Sequence, residues 1–296
     1  MEVYLYLQTK STDYIMEVLH SKESMQQKIL RLREANKTIG FVPTMGALHQ
    51  GHLSLIECSG RQNDATVVSI FVNPTQFNLR DDFEKYPRDL TSDLRQLEEA
   101  GCDLVFTPSE KEMYPEEDNR EFDFGHLDKV MEGQHRPGHF DGVARIVSKL
   151  FDVVKSDRAY FGEKDFQQLA IIRELARQLN DNIEIIGCPI IRETDGLAKS
   201  SRNTRLTPEQ REEAAEISKA LFEARDQVGG LPVEQVKKRV VERLNKNPHM
   251  DVEYFEIVDE QTLQPIERWD EVPRKRGCVA AWVGDVRLID NVEFSF

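Results

Sequence analysis

The chain has 296 residues, 39% hydrophobic and 31% charged, with a net charge of −14; this suits one large globular domain, or one with a smaller partner, rather than a disordered or membrane class. Such acidity argues against a phosphate backbone as partner, because that binding needs a basic face, and the longest apolar stretches, such as 65–72, fall far short of a bilayer span. Four scattered cysteines, Cys58, Cys102, Cys188 and Cys278, form no Cys-x-x-Cys pair, so free thiols in a reducing cytoplasm are expected, with no nucleic acid and no membrane among the partners.

Residues 1–15 show neither a helical nor a strand period, and Met16-Glu17-Val18-Leu19 offers a second start. The segment is expected to be a disordered extension. The first apolar run, 38–43, ends in the turn material Thr44-Met45-Gly46. Further strands are expected at 65–72, 103–106, 158–161 and 183–186, with helical spacing at 90–99, 143–154 and 166–179. This alternation implies an α/β fold, a doubly wound parallel sheet with helices on both faces. Ligands of such sheets lie beyond the carboxyl ends of the strands, so the residues just after each strand carry extra weight.

Beyond about Asn203 the texture changes. Thr207-Pro208-Glu209-Gln210 combines an N-cap, an N1 proline and a capping-box glutamine, so a helix starts there. Its apolar face is Ile217, Ala220, Leu221, Ala224 and Val228, and Gly229-Gly230 stops it. A second helix follows from Pro232, then strands at 252–258, 278–283 and 286–289. The boundary is expected near residue 190, giving domains 1–190 and 191–296, the second a smaller α+β unit.

Three stretches that follow predicted strands carry chemistry. In Met45-Gly46-Ala47-Leu48-His49-Gln50-Gly51-His52 the small residues admit a ligand close to the backbone. A helix beginning near Gly51 aims its free amides at an anion, and His49 and His52 are phosphate donors able to offset charge on a leaving group. Taken alone, the stretch also fits a turn with two surface histidines; zinc fits less well, since no further Cys or His lies nearby. Gly162-Glu163-Lys164-Asp165 supplies a point charge for phosphate and a carboxylate for a helix cap or a ribose, or is an ordinary charged turn. Lys199-Ser200-Ser201-Arg202 is a compact donor set suited to a triphosphate, or a solvated linker. The chain contains no Walker A loop and no Gly-x-Gly-x-x-Gly.

Together these stretches resemble the paired motifs of the nucleotidylyl-transferase superfamily, and within it the pantoate–β-alanine ligase family. The resemblance rests on the residues from Pro43 to His52, on Phe71-Val72-Asn73-Pro74-Thr75-Gln76-Phe77 and on Tyr86-Pro87-Arg88. It continues through Arg136-Pro137-Gly138-His139-Phe140, Gly162-Glu163-Lys164-Asp165 and the run from Asp195 to Asn203. It extends from about Met16 to Arg287-Leu288-Ile289-Asp290-Asn291, nearly the whole chain.

The resemblance implies a Rossmann-like domain with a C-terminal lid, and an enzyme that condenses pantoate with β-alanine through a pantoyl-adenylate, releasing AMP and pyrophosphate. By analogy Met45 to His52 line the ATP site, with His52 as proton donor and His49 beside it. Gly162 to Asp165 hold ribose and phosphate, Lys164 acts on the transferring phosphoryl group, the backbone at Ile191 meets adenine, and Lys199 to Arg202 close over the triphosphate. Gln76 and Gln168 grip pantoate, and Gln76 also lies near β-alanine. Mg2+ accompanies ATP, with Asp93 as its protein contact or as a plain helix-surface carboxylate. A homodimer is implied. Lys199 stands where the family usually has methionine, and either adds a phosphate contact or projects into solvent. A transferase that keeps the nucleotide in its product and a non-catalytic nucleotide sensor are the rival readings.

Overall fold

The computed structural model describes residues 15–77, 80–116, 118–180 and 182–294. Its strands are β1 (Glu17–Leu19), β2 (Ile39–Thr44), β3 (Ala65–Ile70), β4 (Leu104–Phe106), β5 (Arg158–Gly162), β6 (Glu184–Cys188), β7 (Met250–Asp259), β8 (Lys275–Val283) and β9 (Val286–Glu293). The first six form one sheet in the order β1-β4-β3-β2-β5-β6. All of its pairings are parallel.

Phe41, Val42, Val67 and Val68 are all 0% exposed. Neighbouring residues are therefore buried on both faces, as a parallel sheet covered by helices on each side requires. Helices Lys22–Glu34, His139–Val154 and Phe166–Gln178 cover one face, where Met25, Phe151 and Ile172 join one core. Gln50–Gln62 and Leu90–Glu99 cover the other, where Leu55 and Leu97 join a second core. A Cβ on Gly40 would lie 2.1 Å from Ser59 Oγ, so this glycine lets helix Gln50–Gln62 rest on β2. The chain runs outward from β2 through β3 to β4, then crosses to β5 and β6 on the other side. The strand order therefore reverses between β2 and β5, which is where such sheets open a crevice.

The expected strands and long helices are present, with ends shifted by a few residues. Edge strand β1 was not expected; Glu17 to Leu19 pair with Leu104 to Phe106. Of the expected N-terminal extension, 1–15, residues 1–14 lie outside the described residues. Helix His139–Val154 begins four residues before its apolar period because Gly138, at φ 78°, turns the chain into it. The short helices Arg80–Glu84, Glu110–Met113 and Met131–His135, and the 3-10 turns Pro74–Gln76, Glu163–Asp165 and Ser201–Arg205, are too brief to show a period in sequence.

After Cys188 the chain builds a second core. Thr207 and Gln210 form the expected capping box of helix Pro208–Asp226. With helix Val233–Leu244 it packs on the antiparallel sheet β7-β8-β9, burying Leu221, Val236, Phe255 and Val279. This small sheet lies against helices of the first domain: Val258, Leu263 and Cys278 cluster with Met131 and Phe166, and Arg287 pairs with Glu132 at 2.7 Å. Among the described residues no helix is long and apolar enough to cross a membrane.

Candidate active site

The crevice at the strand reversal is bounded by the loop after β2, the turn after β5 and the segment after β6. Thr44 closes β2 and shapes the first loop, its hydroxyl donating to the Ser69 carbonyl at 2.7 Å and accepting the Gly46 N–H at 3.2 Å. Gly46 and Ala47 then take left-handed conformations, φ 77° and 50°, which for alanine carries a strain the surroundings must offset. Asp93 supplies that support. Its two carboxylate oxygens accept the N–H of Ala47 at 3.0 Å and of Leu48 at 2.8 Å. It is 3% exposed, and burial pushes its carboxyl up from the usual range against the pull of those amides. Asp93 does not line the crevice. The carboxylate expected as a metal contact or a helix-surface group sits beneath the loop, bonded to its amides, so it is a buried group and not a surface one.

The loop leads into helix Gln50–Gln62 through an unusual cap. His49 Nδ1 accepts the Gly51 N–H at 3.1 Å, and His52 Nδ1 accepts the His49 N–H at 3.4 Å. The ring centroids are 4.1 Å apart, and a Cβ on Gly51 would stand 2.8 Å from His49 Cε1. With both Nδ1 atoms accepting, each ring carries its proton on Nε2. Burial, then the charges of Lys164 and Lys199, lower His49 to about 4. Burial, then His49 and Lys164, lower His52 to about 3. Both are neutral N–H donors at neutral pH. His52 was expected to relieve charge as a protonated imidazole; in the free protein it offers a hydrogen bond without the charge, since two rings and a lysine in one crevice disfavour a further cation.

After β5, Lys164 and Asp165 line the crevice, Nζ lying 3.9 Å from Asp165 Oδ2. Gln168 follows on helix Phe166–Gln178 and also lines it, whereas Gln167 turns away and bonds the Leu127 and Val130 carbonyls at 2.7 and 2.8 Å. On the opposite wall is Gln76. Asn73, 1% exposed, donates to Gln76 Oε1 at 3.3 Å, which turns Gln76 Nε2 toward Met45 Sδ at 2.9 Å. The oxygen of Asn73 accepts from Tyr114 at 2.8 Å, and His139 Nδ1 donates to the Gln76 carbonyl at 2.8 Å. A Cβ on Gly142 would stand 2.4 Å from the Thr75 carbonyl, so this glycine lets the turn sit against helix His139–Val154.

The third wall is a small hairpin, with Arg192 bridged to Ala198 and Lys199 N donating to the Ile191 carbonyl at 2.9 Å. Lys199 Nζ pairs with Glu193 at 3.0 Å, an arrangement neither sequence alternative anticipated. Ser200 Oγ caps the following turn by accepting the Arg202 N–H at 3.2 Å.

The structure thus brings Met45, His49, Gly51, His52, Gln76, Gly162, Lys164, Asp165, Gln168, Ile191 and Lys199 to Arg202 into one crevice. Gly46, Ala47, Leu48, Gln50 and Glu163 do not line it; Glu163 faces Arg276 at 3.8 Å. Sequence reasoning assigned no role to Asn73 or Tyr114, which orient Gln76. Asn73 stood inside a quoted motif, but its burial is a tertiary property. Neutral donors, two ammonium groups and an arginine around a cleft that two glutamine side chains also line suit a polyphosphate lying beside a small polar acid.

A family model described as Pantoate-beta-alanine ligase matches residues 17–293. The pantothenate synthetase of Bacteroides thetaiotaomicron is 53% identical over 279 residues, covering 94% of this chain and 99% of that protein. That of Sulfurihydrogenibium sp. is 48% identical over 283 residues, covering 94% and 100%. The crystal structure of pantothenate synthetase from Thermus thermophilus superposes with a TM-score of 0.89 at 43% identity, covering 95% of this chain and 100% of that one. The pantoate-beta-alanine ligase of Francisella tularensis, complexed with beta-gamma ATP and beta-alanine, does so at 0.80 and 34% identity, covering 94% and 97%.

Proposed function

This chain belongs to the pantoate–β-alanine ligase family, and on that premise we propose how its crevice carries the reaction. It is an ATP-using carbon–nitrogen ligase of pantothenate biosynthesis, joining pantoate to β-alanine by way of a pantoyl-adenylate. The carboxylate of pantoate attacks the α-phosphorus of ATP and pyrophosphate leaves. The amine of β-alanine then attacks the acyl carbon, AMP leaves and the amide forms.

The observation that carries the assignment of roles is the meeting of His49, His52 and Lys164 with Gln76 and Gln168 in one cleft. The Nε2–H groups of His49 and His52 donate to the triphosphate, and Lys164 offsets charge that develops as the α-phosphoryl group transfers. Gly162 and Asp165 hold the ribose, the backbone at Ile191 meets adenine, and Lys199 to Arg202 cover the phosphates. Gln76 and Gln168 bind pantoate through its hydroxyls and carboxylate, and Gln76 also borders the β-alanine site.

Mg2+ fits here as a companion of the nucleotide. Among the described residues no group of three or more His, Cys, Asp or Glu is built for a metal, and Asp165 is the one carboxylate in the described lining. A phosphate-held ion with few protein ligands agrees with that donor set, and it supplies charge neutralisation on the triphosphate. Residues 191–296 act as a lid that keeps water from the adenylate. The active species is a homodimer, which sedimentation would check, in the cytoplasm.

The testing experiment is exchange of labelled pyrophosphate into ATP. Exchange is expected with pantoate and without β-alanine, and AMP release is expected to accelerate when the amine is added. Exchange that strictly requires β-alanine would overturn the two-step order. Exchange with a different cosubstrate, with no AMP released on adding an amine, would favour the transferase reading.

A further inference from the structure

The turn that carries Lys164 is held from the other domain by one side chain. Asn291 on β9 is 2% exposed. Its amide nitrogen donates to two successive carbonyls, Glu163 at 2.9 Å and Lys164 at 3.0 Å. Its Oδ1 accepts Arg276 Nη1 at 2.8 Å. Arg276 is itself fixed, paired with Glu260 at 2.7 Å and lying 4.2 Å above the Phe166 ring. The donors and the acceptor of this amide are thus all engaged, which leaves one orientation.

The main chain of the same residue reaches the opposite wall. The Asn291 N–H is accepted by Asp290 Oδ1 at 2.7 Å, and its carbonyl accepts Arg192 Nη2 at 3.2 Å. Arg192 closes a fork on Asp290 at 2.6 and 2.9 Å and opens the hairpin that leads to Lys199 and Arg202. Two walls of the crevice, the Lys164 turn and the 191–202 segment, are therefore referred to a single residue of the small sheet. Coupling of this kind sets reacting geometry, where about 1 Å of misplacement costs on the order of 10²-fold in rate.

We propose that Asn291 is a positioning residue for adenylation: it holds the backbone of Lys164 so that the ammonium meets the transferring phosphoryl group. The proposal rests on the ligase reading given above. It implies that Asn291 acts through Lys164, so removing both should cost no more than removing the lysine alone.

The experiment is a double-mutant cycle read in pantoate-dependent pyrophosphate exchange, on full-length protein whose folded state is checked by thermal melting. Asn291→Ala is expected to lower kcat about 10²-fold, while KM for pantoate, held by Gln76 from another element, stays within a few-fold. In the Lys164→Ala background the same change should add less than about threefold, because coupled residues fail to multiply. Asn291→Asp keeps the shape and the acceptor for Arg276 but removes both donors, and it serves in the same cycle if the alanine variant does not fold. Multiplying losses, or a folded variant with parental kcat, would overturn the proposal and reduce Asn291 to a structural contact. A parent enzyme with no pantoate-dependent exchange would instead overturn the ligase reading, and this inference with it, before any variant is compared.

Discussion

His52 accepts the N–H of His49 at its Nδ1 across 3.4 Å, so the second ring of the crevice is oriented by the backbone of the first. Its Nε2 keeps the proton, and burial beside His49 and Lys164 brings the ring to about 3. In the free protein neither ring should titrate near the ordinary 6.5; His49 should gain a proton only near about 4. Proton NMR of the imidazole Cε1–H signals reads this, and a midpoint near 6.5 for either ring would contradict the neutral-donor assignment. His52→Ala should lower kcat about 10²–10³-fold, as for a lost transition-state donor.

Asp93 carries the Gly46–Leu48 loop on two charge-assisted bonds. Asp93→Asn keeps the volume but replaces one acceptor with a donor facing a backbone N–H. The loss should be about 1–3 kcal/mol of stability, with a several-fold rise in KM for ATP as the loop relaxes. Denaturant unfolding and initial rates test it together. A variant with parental stability whose Mg2+ dependence alone has shifted would restore the carboxylate as a metal contact.

Lys199 is already neutralised by Glu193 at 3.0 Å, in a partly exposed pair. Pairs of this kind contribute about 0–1 kcal/mol, so Lys199→Met, the family's usual residue, should move KM for ATP by less than about fivefold. A larger loss that deepens at low ionic strength would show that the ammonium leaves Glu193 for the triphosphate.

Acid should weaken the fold through its histidines. Burial holds His49, His52 and His139 at about 4, 3 and 4, below the ordinary 6.5. Below 6.5 the unfolded chain binds these protons before the folded one does. Stability is therefore full above about 6.5 and falls as the pH drops toward 4. Burial opposes ionisation of Glu132, but the hydrogen bonds and charge of Arg287 prevail and hold it at about 2, adding a second loss from about 4.5 downward. Asp93 and Asp290, raised by burial, oppose the trend. The diagnostic is therefore a difference: from pH 7 to 4.5, the melting temperature of His139→Asn should fall less steeply than the parent's, by about one proton's worth of slope. Equal slopes would show that His139 is not buried neutral.

Much of the chain was legible without coordinates. Strand–helix alternation implied the parallel sheet, the weight given to residues after each strand led to His49, His52, Lys164 and Lys199, and the family resemblance added Gln168; all of these line one crevice. Thr207 and Gln210 announced their helix because a capping box is local chemistry, complete within four residues. What sequence did not yield was non-local. β1 is three residues long and is a strand only because Leu104–Phe106 lie beside it. Asp93 looked like any helix carboxylate until the fold set it under amides 46 and 45 positions earlier in the chain.

The sequence by itself determined which residues could act, because hydroxyl, imidazole, ammonium and amide groups after strand ends are properties of type and spacing. Only the tertiary structure decided what state each is in. Backbone N–H groups chose the imidazole tautomers, burial beside Lys164 removed their charge, Glu193 took the ammonium of Lys199, and Asn291, 127 positions beyond Lys164, fixed the turn that aims it. Each of these depends on distance through space and on exclusion of water, and neither quantity is written in the order of residues along the chain.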